Sequence, residues 1–168
     1  MRDMKDAMRE AGLRRSCAPS HRSPGKPSGG SGGTPGGGGN PFPQGYPKYF
    51  GPDGHTRVEL LLKEAEDLAA CFKRERLKRH QLRAFYDHAK RQLQRLQCGA
   101  SFGAVHPEIA KLKAFAADRA RRAENALPSP FKRFIDLNVD AVKDRISFEK
   151  GFMPHFEAVV AYCAYITE

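Results

Sequence analysis

Seven basic side chains have the type and the spacing to meet phosphate. In Leu77–Leu96, LKRHQLRAFYDHAKRQLQRL, Arg79, Arg83 and Lys90 fall together when projected at about 100° per residue, with Arg76 just beyond. On a helix, Arg83 and Lys90 would stand about 10 Å apart along the axis, a separation that suits two phosphates of one strand. Further on, Lys111, Phe115, Arg119 and Arg122 form a line at successive turns. Such cations neutralise a nucleic-acid backbone without reading its sequence. Arg119 projects into an apolar stripe. There it either pairs with an internal carboxylate or points at an external anion or a neighbouring subunit.

Other chemistries lack the residues they need. The adjacent Asp87 and His88 suggest a metal-dependent phosphohydrolase, but neighbours on a helix point about 100° apart. His80, His106 and His155 supply no second ligand motif. Cys17, Cys71, Cys98 and Cys163 are scattered, which fits reduced thiols better than a disulfide framework or a zinc site. No nucleophile sits in an elbow motif, and the Gly-rich run lacks the Gly-Lys-Ser/Thr ending of a phosphate-binding loop. No catalytic residue, metal or cofactor is expected. Phe85, Phe115, Phe134, Phe152 and Phe156 read as core, while Tyr86, Tyr162 and Tyr165 offer possible stacking surfaces.

The elements that must position the cations are helices. Leu82, Phe85, Tyr86, Ala89, Leu93 and Leu96 give the central segment one apolar face. Before it, Val58, Leu61, Leu62, Ala65, Leu68, Ala69 and Phe72 predict an amphipathic helix opened by a Thr56/Glu59 capping box. Its face is rotated by about 100° from that of the central segment, which requires a bend within Lys73–His80. Gly99–Gly103 ends the central helix. Pro107 then suits the first turn of a third helix, whose face is Ile109, Leu112, Phe115, Ala116, Ala120 and Ala123. Ser129, between Pro128 and Pro130, predicts the N-cap of a fourth, with Phe131, Ile135, Val139, Val142 and Ile146 facing inward. A fifth segment carries Phe152, Phe156, Val159, Val160, Cys163 and Ile166. Gly151 and Pro154 interrupt it, so its regular part is expected to start near Pro154.

The fold class is therefore all-α, a compact bundle of about five helices preceded by a disordered Gly/Pro/Ser-rich tail. Residues 1–55 read as a flexible, basic tail with a short amphipathic helix at Met1–Arg15, and residues 56–168 as the folded domain. Removing Met1–Pro52 is accordingly expected to leave the domain intact. The 168 residues carry a formal charge of +10, placed unevenly. Lys73–Arg95 holds nine basic residues against the two acids Glu75 and Asp87, whereas acids slightly outnumber bases from Glu124 onward. Such asymmetry suggests a polyanion on one face. No apolar run near 20 residues and no signal-peptide core is present, so a cytoplasmic protein without a membrane partner is expected.

Four segments in order, QLRAFYDHAKRQL, KLKAFAADRARR, FKRFIDLNVDAV and FEAVVAYCAY, resemble the small subunit of the type III-A CRISPR effector, the Csm complex. The similarity runs from about Leu77 to Ile166. It implies a helical, non-catalytic subunit in antiviral defence that stacks in several copies as a filament. It also implies contact with guide RNA, target RNA and the other effector subunits. The basic positions of that family map onto Arg83 and Arg119; Arg76, Arg79, Lys90, Lys111 and Arg122 extend the candidate RNA-binding set by projection. The Gly-rich segment and the Gly151/Pro154 interruption depart from the family pattern. The alternative reading is a stand-alone helical adaptor whose basic face meets an acidic protein.

Overall fold

The computed structural model describes residues 40–166; the expected Met1–Arg15 helix, Cys17 and most of the Gly-rich segment lie outside them. The helices are α1 (Val58–Leu61), α2 (Lys63–Arg74), α3 (Arg79–Gln97), α4 (Phe102–Ala120), α5 (Ser129–Ala141) and α6 (Met153–Ile166), with a π-helical turn at Ser147–Phe152. α1 bends into α2 at Leu62, and the π turn runs straight into α6. The result is an all-α bundle of five helical arms, as the periodicity predicts. Among the described residues there is no strand, only a single bridge between Phe50 and Thr56.

The apolar stripes meet in one core. α6 packs against α1, α2 and α3, while α4 lies between α3 and α5. Phe72, Phe131, Phe134 and Phe156 are fully buried, and their rings meet at centroid distances of 5.2 Å (Phe72–Phe131) and 5.3 Å (Phe134–Phe156). Each such side chain contributes about 1.5–3 kcal/mol by leaving water. Phe115 departs from its predicted place: it is 43% exposed. Its turn of α4 faces a cleft rather than a packed neighbour.

Helix ends show how little sequence a break needs. Gly99 closes α3 at φ +94°, with Ala100 N–H reaching Arg95 C=O and Gly99 N–H reaching Leu96 C=O. α2 ends in the same motif: Leu77 N–H bonds Phe72 C=O and Arg76 N–H bonds Lys73 C=O. Here the left-handed position is Arg76, at φ +59°. A side chain there costs about 1 kcal/mol relative to glycine. The predicted bend in Lys73–His80 is thus present, though no Gly or Pro marks it.

Three helix starts differ from expectation. Thr56 does not cap α1: its Oγ1 donates to Lys150 C=O at 2.7 Å, and Arg57 occupies the cap position. α4 begins a turn earlier than Pro107 suggests, because Ser101 Oγ accepts the Ala104 N–H. Ser129 is the first helical residue of α5 rather than its cap.

The largest correction concerns the domain boundary. Residues 40–55 are not tail: Phe42 and Tyr49 are buried in the same core as the helices. Tyr49 Oη donates to Asn138 Oδ1 at 2.9 Å, and Asn138 Nδ2 donates to Tyr46 Oη at 2.9 Å. Tyr46 Oη meets His155 Nε2 at 2.7 Å, and His155 Nδ1 meets Leu60 C=O at 2.9 Å. With neutral His155 protonated on Nδ1, every member of this chain has a partner. Gly151 makes room for it, since a Cβ there would fall 2.6 Å from Tyr49 Cγ. Composition hid the arm: three aromatic rings among Gly and Pro suffice when polar partners wait in α5 and α6.

Candidate nucleic-acid interface

α3 opens on an electrostatic mismatch. Lys78 holds its cap position, Arg79 and Arg83 follow, and the first turn contains no acid. The N-terminus of a helix already carries about half a positive charge, so cations there are unfavourable by a few tenths of a kcal/mol each. The fold compensates with neutral groups. Gln81 Oε1 accepts the Lys78 N–H, Gln81 Nε2 donates to Asn125 C=O, and Lys78 Nζ bonds Asn125 Oδ1.

Arg79 and Arg83 are exposed and have no carboxylate partner among the described residues. Both line a depression of about 100 Å³ together with Phe72, Leu77, Leu82 and Val160. Arg76 stands beside them on its left-handed turn, also exposed. Lys90, further along α3, is engaged: its Nζ is 3.2 Å from Tyr86 Oη and 4.0 Å from Glu157. Those contacts, the Tyr86 hydroxyl first, raise its pKa. Tyr86 itself donates to Glu157 and packs its ring edge-on against Phe156. Tyr162 is half-buried against the core, and the Tyr165 side chain lies outside the described part.

The candidates on α4 and just past its end lie elsewhere. Among the described residues Arg119 has no carboxylate partner; its guanidinium lies over the Phe85 ring at 5.2 Å. Arg122 pairs with Asp118 at 2.7 Å. Lys111 pairs with Glu108 at 2.7 Å, and that hydrogen bond holds the Glu108 carboxyl below its ordinary range. Arg119 and Arg122 line an α3–α4 cleft of about 640 Å³ together with Asp87, His88, Arg91 and Phe115. The seven predicted cations therefore divide. Arg79 and Arg83 line one depression, Arg119 and Arg122 another, and Arg76, Lys90 and Lys111 line neither. Arg91 escaped the sequence reading. It shares an α3 stripe with Ala84 and Asp87, both off the row used for projection.

The residues considered for other chemistry are dispersed. His88 Nε2 is tied to Glu108 C=O at 2.8 Å, His106 stacks on Phe102, and His155 is buried in the tyrosine network. Among the described residues, no group of three or more His, Cys, Asp and Glu is arranged to hold a metal ion. Among the described residues Cys71 and Cys98 are free thiols, and burial pushes the Cys163 thiol up to about 11. No described helix is long and apolar enough to cross a membrane.

The model of the family described as Csm2 Type III-A matches residues 55–168. The chain belongs to the Csm2 type III-A family. It is a small subunit of the type III-A CRISPR effector, the Csm complex, and the other Csm subunits are its partners. The Csm2 match begins at residue 55, so Phe42, Tyr46 and Tyr49 lie outside the matched region although they complete its core. No curated protein and no solved structure matches the chain.

Proposed function

We propose that this Csm2 chain is a non-catalytic subunit that binds the guide and target RNA backbone through the start of α3 and stacks in several copies along it. The observation that supports this most is the exposed, carboxylate-free pair Arg79 and Arg83 at a helix N-terminus. Arg79 stands in the first turn and opposes the helix dipole, Arg83 follows one turn on, and neither has a carboxylate partner among the described residues. A phosphate placed there meets both the arginines and the dipole. Arg76 adds a third cation at the same corner, while Lys90, Lys111 and Arg122 already face acids. Arg79, Arg83 and Arg76 therefore lead the RNA contact, with Lys90, Lys111, Arg119 and Arg122 adding weaker, screened attraction.

Arg83→Glu tests the reading, because Arg83 is solvent-exposed and its replacement leaves the core untouched. In a Csm complex reconstituted on guide RNA, the variant should keep wild-type helicity yet enter at reduced occupancy, with the deficit narrowing as salt rises. Wild-type occupancy for Arg83→Glu and Arg79→Glu alike would favour an acidic protein as the partner of this face.

A further inference from the structure

The α3–α4 cleft joins three features that backbone binding does not require. Phe115 exposes 43% of its surface in a bundle whose other phenylalanines are mostly buried. The ring is braced: His88 meets it edge-on at 5.5 Å and 83°, and His88 is itself fixed by the Glu108 carbonyl at 2.8 Å. Arg91 and Arg119 line the same cleft without a carboxylate partner among the described residues.

We propose that this cleft holds one unpaired RNA nucleotide, its base stacked on Phe115 and its phosphate drawn to Arg91 and Arg119. The inference rests on the RNA-binding reading and adds a base-stacking site that the family match does not assign. The volume of about 640 Å³ lies within the roughly 300–1,000 Å³ of small-molecule sites. A nucleotide suits the mixed lining, because a base offers an apolar face to an aromatic ring while its phosphate seeks guanidinium. The cleft is not uniformly cationic. Asp118 is held by Arg122 at 2.7 Å, and Asp87 also lines the wall. A duplex, with two phosphate rows, would set its backbone against those carboxylates; a single nucleotide needs only part of the lining. Stacking would be indifferent to base identity, since every base has a π face.

The test compares a short oligoadenylate RNA with its abasic counterpart, binding each to the full chain and following anisotropy across a salt series. Wild type should favour the base-containing strand about tenfold, the range expected for one base on one aromatic ring. Phe115→Ala and Phe115→Leu should abolish that preference while leaving helicity and the salt slope unchanged, and Phe115→Tyr should retain it. Arg83→Glu should weaken both strands equally and preserve the preference. Equal binding of both strands by wild type, or a preference that survives both Phe115→Ala and Phe115→Leu, would overturn the nucleotide site and leave the backbone reading standing. No salt-dependent binding of either strand would remove both.

Discussion

At the scale of single residues, partners separate the cations that contribute to folding from those held ready for a ligand. Lys111 and Arg122 sit on carboxylates at 2.7 Å, and exposed pairs of that kind contribute at most about 1 kcal/mol. Arg83 has no such partner among the described residues, and its row was found by projection because helical phase is readable from spacing. Projection could not show that Lys90 would meet Glu157, 67 residues away in α6, or that Arg119 would settle over Phe85. His155 was equally illegible: a lone histidine on an apolar face gives no sign of Tyr46 and the Leu60 carbonyl waiting for it. Burial lowers its pKa to about 4, against an ordinary value of 6.5. Because the folded value is depressed, the unfolded chain takes up this proton first. Stability from His155 is therefore complete above about pH 6.5 and declines as pH falls towards 4, by roughly 3 kcal/mol in all. Urea midpoints measured between pH 7.5 and 4.5 should fall, and the His155 ring should remain neutral by NMR at pH 5.5. An ordinary titration near 6.5 in the folded protein would show that the tyrosine network is open.

At the scale of elements, the helices were legible because each stripe holds its period of about 3.6 residues over three turns or more. The connections were less so. The end of α2 uses Arg76 where glycine is usual, so the bend was visible only as a phase mismatch between two stripes. The arm was missed for the opposite reason: Phe42, Tyr46 and Tyr49 have no period, and their environment is made by α5, α6 and the π turn. Two expectations follow for this arm. Tyr49→Ala should lower stability by about 3 kcal/mol in chemical denaturation, the cost of emptying a buried aromatic site. The truncation through Pro52 should accordingly destabilise the bundle, contrary to what composition suggests. Gly151→Ala should cost about 1–3 kcal/mol, because its Cβ would overlap the Tyr49 ring. In the Tyr49→Ala background the same change should be nearly neutral. Additive losses would mean that the two residues do not touch. The π turn belongs to this logic: it widens the backbone where Tyr49 packs on Gly151.

At the scale of the whole molecule, charge and packing are divided between elements. α6 and the aromatic rings of α2 and α5 supply the core, and the end of α2 with the start of α3 supplies a cationic corner that the core does not need. That division was legible in the sequence, as an excess of nine bases over two acids in Lys73–Arg95. The separation of the candidates onto two flanks of α3 was not, because it depends on where α4 and α6 dock. A polyanion bound at this corner should stabilise the fold, since it relieves repulsion between cations and the α3 dipole; RNA at saturating concentration should raise the thermal midpoint of wild type more than that of Arg83→Glu. The central claim, phosphate binding by the start of α3, is tested most directly by the salt dependence of RNA affinity. For single-stranded RNA, the logarithm of the association constant should fall linearly with the logarithm of salt, by about 0.7 per phosphate neutralised. Wild type should give a slope of roughly −2 if Arg76, Arg79 and Arg83 each meet one phosphate. Arg83→Glu should flatten that slope by about 0.7 or more and weaken binding at every salt concentration. A wild-type affinity indifferent to salt, or an Arg83→Glu slope equal to wild type, would contradict it.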